Sequence, residues 1–189
     1  MPAVTIASFM GNLTSNPKPF LSFLKKTPKK KFKDVNPMEL SRQMCLLDFE
    51  IFSKITTKEL CHQNWNKPDA KQQSPNVLTL IEKFNQTSYW VATEIVKCIS
   101  SKARLNVLKR ILEIADSLKK LNNFHSFLAI VSGLNLGCVS RLSKTWKVLA
   151  SRQERVVPNC LFVGKKMIDV AETNILSIPA DDRTGIRSS

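Results

Sequence analysis

The chain has 189 residues, 43% of them hydrophobic, and carries a net charge of +14 from 29 basic and 15 acidic side chains. That length supports one domain with a core of its own plus tails, and is short for two domains. Five cysteines, odd in number, widely spaced and set mostly in apolar runs, suggest neither a disulfide framework nor a zinc site, and no apolar run approaches the ~20 residues of a membrane span.

The charge is unevenly placed. Residues 1–33 hold seven lysines and no acid, and residues 1–35 read as a basic, flexible N-terminal segment. Within it Phe20, Leu21, Phe23 and Leu24 precede Lys25, Lys26, Lys29, Lys30, Lys31 and Lys33, with Phe32 set among the lysines. Three readings stay open. One is a solvated tail. A second is a contact with an anionic membrane surface, in which lysines are drawn to the lipid at ~1 kcal/mol each and phenylalanines enter the headgroup region. A nucleic-acid patch ranks last, because the segment has no arginine to read a groove. The expected location is cytoplasmic, with the basic segment as a peripheral contact at the plasma membrane.

From Asn36 the pattern turns regular. Asn36 as cap, Pro37 at the first position and Glu39 at the third predict a helix start, and Leu40, Met44, Leu47, Ile51 and Ile55 recur every three or four residues up to a predicted end near Ile55. Thr56 or Thr57 caps a short helix through Leu60. Gln63 to Gln73 reads as a polar connection carrying an isolated Trp65, which either packs against the first helix or meets a partner.

Ser74-Pro75-Asn76 starts a helix whose predicted inward line is Val77, Leu80, Ile81, Phe84, Val91 and Ile95, ending near Cys98. The next runs from Lys102 to Lys120, with Leu105, Leu108, Leu112, Ala115 and Leu118 inside and Lys109, Arg110, Lys119 and Lys120 outside. Asn122 and Asn123 then read as caps for a helix burying Phe124, Phe127, Leu128, Val131 and Leu134. Ser132 and Asn135 lie beside that line, and a break follows at Gly137. Val139, Leu142, Trp146 and Leu149 form the last apolar line. Residues 36–153 are thus one all-α, multi-helix domain. Residues 154–189 form a divergent tail with a short candidate helix from Lys165 to Thr173 and disorder towards Ser189.

No covalent active site is visible. His62 and His125 have no metal or nucleophile partner at helical spacing, His125 reads as a surface or cap-supporting residue, and HxxxH, CxxC, GxSxG, a P-loop and GxGxxG are all absent. The expectation is a non-enzymatic interaction domain without cofactor or metal.

Six segments go further: ELSRQ (39–43), SPN (74–76), WVATEIV (90–96), LNNF (121–124), VSGLN (131–135) and SRLSKTW (140–146). In this order and spacing they resemble the catalytic domain of the Ras-type guanine-nucleotide exchange factors over Asn36 to about Leu149. The resemblance implies an all-helical domain that binds a Ras-like small GTPase, holds its switch II in a groove and pushes a helical hairpin into the nucleotide site, so that GDP and magnesium leave. Trp65, Phe84, Asn85, Leu128, Ser132 and Asn135 would line the groove, with Leu128 as apolar anchor and Ser132 and Asn135 as hydrogen-bonding groups. The sequence departs from the family at His125, where asparagine is usual, and at Leu136-Gly137. Nothing in Arg155 to Ser189 resembles the remaining family helices, so the expectation is a chain incomplete at its C-terminal side that binds the GTPase and exchanges poorly. A decoy module is the alternative to an active exchange factor.

Overall fold

The computed structural model describes residue 32 and residues 35–152, and among these every regular element is a helix. In chain order they are α1 (Pro37–Phe52), α2 (Thr57–Leu60), a 3₁₀ segment (Cys61–Asn66), α3 (Ala70–Gln73), α4 (Pro75–Val96), α5 (Ser101–Lys120), α6 (Phe124–Asn135), α7 (Gly137–Ser140) and α8 (Ser143–Arg152). The six lysines of the basic segment and the candidate helix from Lys165 lie outside the described residues. No described helix is long and apolar enough to cross a membrane.

Helix α1 starts as its sequence predicts. The Asn36 side-chain oxygen accepts from the backbone N–H groups of Met38 (2.9 Å) and Glu39 (3.3 Å), using two of the amides that a helix start leaves without partners. It ends earlier than Ile55, at Phe52. Thr56 needs extended backbone to receive α2, and its N–H donates to the Glu59 carboxylate at 3.3 Å, so the chain must leave the helix before it.

The predicted connection from Gln63 to Gln73 is more ordered than expected. It holds the end of the 3₁₀ segment and all of α3, with His62 and Gln63 in left-handed backbone at φ 50° and 52°. Its anchor is Glu59, which is buried. This carboxylate accepts from the Asn76 N–H (2.8 Å), the Val77 N–H (3.2 Å) and the Asn76 side chain (2.8 Å). Asn76 and Val77 are the second and third residues of α4, so a residue of α2 caps the start of α4, where the helix dipole favours negative charge. Ser74 closes the same joint by donating its hydroxyl to the Glu59 carbonyl at 2.8 Å. The SPN motif is therefore a structural clasp.

Burial raises the Glu59 pKa and the four hydrogen bonds outweigh it, so the group titrates below its ordinary 4.5. The folded state thus holds its proton less tightly than the unfolded chain, and this stabilisation is present above pH 4.5 and lost as pH falls through the lower, folded value. Glu59→Ala should cost about 2 kcal/mol near neutral pH, read by urea denaturation, and the difference from wild type should shrink in acid.

The core is built around α5, whose Leu105, Leu108, Ile111, Leu112, Ile114, Ala115 and Leu118 are all buried. Each leucine or isoleucine withdrawn from water contributes about 2 kcal/mol. The predicted inner line was too narrow by Ile111 and Ile114, because α5 packs on both sides: against α1 on one and α6 on the other. Helix α6 in turn lies along α4, its most extensive neighbour. Phe32, read as a candidate membrane anchor, instead sets its ring edge-on to Trp90 with centroids 5.5 Å apart and packs on the core.

Three further expectations change. Ile81 is 43% exposed, while its near neighbour Lys83 is 2% exposed; the inner face of α4 is polar at this level and the charge is neutralised, as described below. Phe124 is 42% exposed because it is the first residue of α6 and precedes the buried face. The break after α6 falls at Leu136, with ψ at 137°, and Gly137 opens α7.

Candidate functional site

Helices α4 and α6 meet along one seam. Phe84 stacks edge-on against His125 with ring centroids 5.6 Å apart, and the Ser88 hydroxyl donates to the Ala129 carbonyl at 2.8 Å. A Cβ at Gly133 would lie 2.5 Å from the Ser88 carbonyl oxygen and 2.9 Å from the Val91 Cβ. These contacts advance together along both helices, so α4 and α6 run parallel and in register, and Gly133 permits their backbones to approach this closely.

With about 100° of rotation per residue, Asn85, Tyr89 and Val96 lie on one flank of the contact line on α4. Leu128, Ser132 and Asn135 lie on the opposite-handed flank of α6. On parallel helices these two flanks open to the same side. Asn85, Tyr89 and Asn135 are exposed, while Leu128 and Ser132 are half-buried. At the C-terminal end the groove widens into a cleft of about 510 Å³ between Tyr89, Ala92, Thr93 and Val96 on α4 and Leu136 to Cys138.

Of the residues predicted to line a groove, Asn85, Leu128, Ser132 and Asn135 therefore share one surface, and Phe84 sits half-buried in the seam beneath it. Trp65 stands apart in the 3₁₀ segment, half-buried, on an element packed against α2, α3 and α4. Tyr89, 65% exposed on the same flank as Asn85, was missed. Its spacing of four from Asn85 was the available signal.

The two asparagines divide the capping work. Asn122 takes left-handed backbone at φ 57°, and its N–H and that of Asn123 return to the Lys119 and Leu118 carbonyls, both at 3.0 Å, closing the C-terminus of α5. Asn123 opens α6, its side-chain oxygen accepting from the Ser126 N–H at 3.0 Å. Its amide nitrogen reaches across to donate to Asp48 on α1 at 2.6 Å.

Asp48 is the centre of a buried polar knot under the groove. One carboxylate oxygen accepts from Asn123 and from the Ser126 hydroxyl, each at 2.6 Å, and the other pairs with the Lys83 ammonium at 2.6 Å. Three helices, α1, α4 and α6, are tied at this point. Burial pushes the Lys83 ammonium below its ordinary value, opposed by the Asp48 charge.

His125, expected at the surface, is half-buried against this knot. Burial holds its imidazole below the usual 6.5, with Asp48 opposing and Lys83 adding to the shift. The unfolded chain therefore takes up a proton near 6.5 that the folded one resists, and stability falls as pH drops below that value. His125→Asn should remove this component, so that the fall in melting temperature between about pH 7 and about pH 5 becomes shallower than in wild type.

Among the described residues no cluster of His, Cys, Asp or Glu could hold a metal ion.

Comparison with known proteins matches residues 39–172 to the RasGEF domain. The match runs past Leu149, where the motif resemblance stops, so part of the segment set apart after Gln153 falls within the family pattern. The chain is similar to Ras guanine nucleotide exchange factor Q of Dictyostelium discoideum, at 42% identity over 137 residues, covering 72% of this chain and 11% of that protein. It is similar to factor P of the same organism at 41% over 143 residues (75% and 9%), and to factor A at 43% over 122 residues (65% and 20%). The chain thus spans a fifth or less of the length of these relatives. A family match over most of the chain, joined to an all-helical core, makes this protein a member of the RasGEF domain family.

Proposed function

We propose that the chain is a guanine-nucleotide exchange factor for a Ras-like small GTPase, that the α4–α6 groove receives the GTPase's switch II, and that this contact promotes release of GDP. The observation that carries the reading is the common surface formed by Asn85, Leu128, Ser132 and Asn135 in a RasGEF family member. Leu128 supplies an apolar anchor, and Ser132 and Asn135 supply hydrogen bonds beside it. Trp65 extends the contact from its separate element.

No bond is made or broken in such a reaction. A partner displaces a nucleotide only by binding the empty GTPase more tightly than the loaded one, and a 10⁴-fold preference corresponds to about 5.5 kcal/mol. The groove supplies part of that difference by holding a segment that loaded GTPases keep in another position. The basic segment carrying Lys25 to Lys33 would bring the domain to an anionic membrane surface.

Release of a fluorescent GDP analogue from a panel of Ras-like GTPases tests the activity, and capture of nucleotide-free against GDP-loaded GTPase tests the contact. Asn135→Ala should weaken capture of the empty GTPase about 30-fold, as a central interface residue does, while leaving the melting temperature close to wild type, because Asn135 is exposed. Capture without accelerated release would identify a GTPase-binding module and defeat the exchange reading. Absence of both would defeat the partner as well.

A further inference from the structure

A cavity that the GTPase reading does not use lies at the opposite end of α5 from the asparagine caps. It encloses about 820 Å³ between the first turn of α5 and the α7–α8 corner, within the range of small-molecule sites. Among the described residues that line it, four are cationic, Lys102 and Arg104 from α5 and Arg141 and Lys144 from the corner, and none is acidic.

Like charges gathered around a concavity repel one another, and the potential they focus there favours an anionic occupant. Two long helices also begin at this cavity. Ser101 and Lys102 open α5, Ser143, Lys144 and Thr145 open α8, and the Ser100 side chain makes no capping bond to α5. The positive ends of both dipoles therefore add to the same field.

One buried group at the cavity lacks a partner among the described residues. The Arg104 guanidinium is held in place by donating to the Cys98 carbonyl at 2.7 Å, yet its Nε is buried without a hydrogen bond. Thr145 lines the cavity at 8% exposure. Leu105, Leu142 and Val148 form an apolar wall.

We propose that this cavity binds a small polyanion carrying two or more phosphate groups, of the kind found in inositol polyphosphates and in phosphoinositide headgroups. Arg104 and Thr145 form the fixed floor of the site, and Lys102, Arg141 and Lys144 close around the phosphates from its rim. Arginine's planar fork suits phosphate oxygens, and the volume admits a single ring with its substituents.

Titration calorimetry of the full chain with inositol 1,4,5-trisphosphate tests the proposal. Three proteins are compared: wild type, the double variant Arg141→Glu with Lys144→Glu, and a tail variant with Lys25, Lys26, Lys29, Lys30, Lys31 and Lys33 changed to alanine. Both reversed residues are exposed, and an unchanged melting temperature verifies that the fold is kept. The reversal should lower affinity at least tenfold, while the tail variant stays within about twofold of wild type.

Co-sedimentation with phosphatidylcholine vesicles, with and without phosphatidylinositol 4,5-bisphosphate, separates the sources. Capture that free trisphosphate displaces assigns the site to the lipid headgroup, whereas trisphosphate binding without capture assigns it to the soluble form. Binding that is indifferent to the double reversal, lost only in the tail variant, or no tighter than that of inorganic phosphate overturns the proposal. So does absence of binding in the wild type. If Arg141→Glu with Lys144→Glu lowers the melting temperature, Lys102→Ala gives the same test, with a loss of at least threefold expected and an unchanged affinity overturning it.

Discussion

Asp48→Ala should destabilise the protein by about 3–5 kcal/mol, the cost of breaking a buried ion pair by removing one partner. Lys83 is 2% exposed and its ammonium lies 2.6 Å from the Asp48 carboxylate, so the variant leaves a positive charge in a place that water does not reach. It also deprives Asn123 and Ser126 of their acceptor, loosening the start of α6. Because a single domain is stable by only about 5–15 kcal/mol, urea denaturation should show a midpoint displaced far below wild type.

The sign of the pH response in this variant is fixed. Lys83, already below its ordinary value through burial, loses the neighbour that opposed the shift. The unfolded chain then binds the proton more readily than the folded one, and the stability of Asp48→Ala should rise with pH through the alkaline range up to the unfolded lysine value. Pairing Asp48→Leu with Lys83→Met should recover most of the loss, since a buried pair replaced by apolar groups leaves no charge stranded. A single Asp48→Ala as stable as wild type would mean that the knot does not bind α1 to α4 in solution.

Gly133→Ala should have the second large effect, a loss of about 1–3 kcal/mol from overpacking together with weaker GTPase capture. The added methyl group would meet the Ser88 carbonyl oxygen at 2.5 Å. That atom belongs to the backbone of α4 and cannot turn aside as a flexible side chain would. Relief requires α6 to slide or tilt, which stretches the 2.8 Å bond from Ser88 to the Ala129 carbonyl and separates the two flanks of the groove. Asn135→Ala leaves the seam untouched, so the pair of variants divides geometry from contact: Gly133→Ala should lower both the melting temperature and capture, Asn135→Ala capture alone.

What the sequence made legible follows from what apolar periodicity records. The helices around Met44, Leu112 and Phe127 could be read because those side chains are buried by hydrophobicity at helical spacing. Lys83 could not, because a lysine inside is tolerated only with a specific acid nearby, and Asp48 stands 35 positions away on another helix, a distance that no local pattern reports. The end of α1 was misplaced for a related reason. Ile55 continued the apolar rhythm, while the geometry was decided by Thr56 and its bond to Glu59.

The groove was legible in half. Leu128, Ser132 and Asn135 share a face by spacing alone, but that Asn85 joins them depends on α4 and α6 running parallel, a consequence of α5 carrying the chain back between them. Trp65 reads as isolated in the sequence and remains on a separate element in the fold. The reason for the glycine inside the VSGLN segment, a carbonyl of another helix pressed against Gly133, is visible only in three dimensions.

The hydroxyl of Ser88 joins the two backbones directly, close to where Gly133 lets them lie side by side. Force applied at the tip of α6, where Asn135 meets solvent, should therefore pass to α4 through this bond. A load on one rim of the groove should then move both rims together.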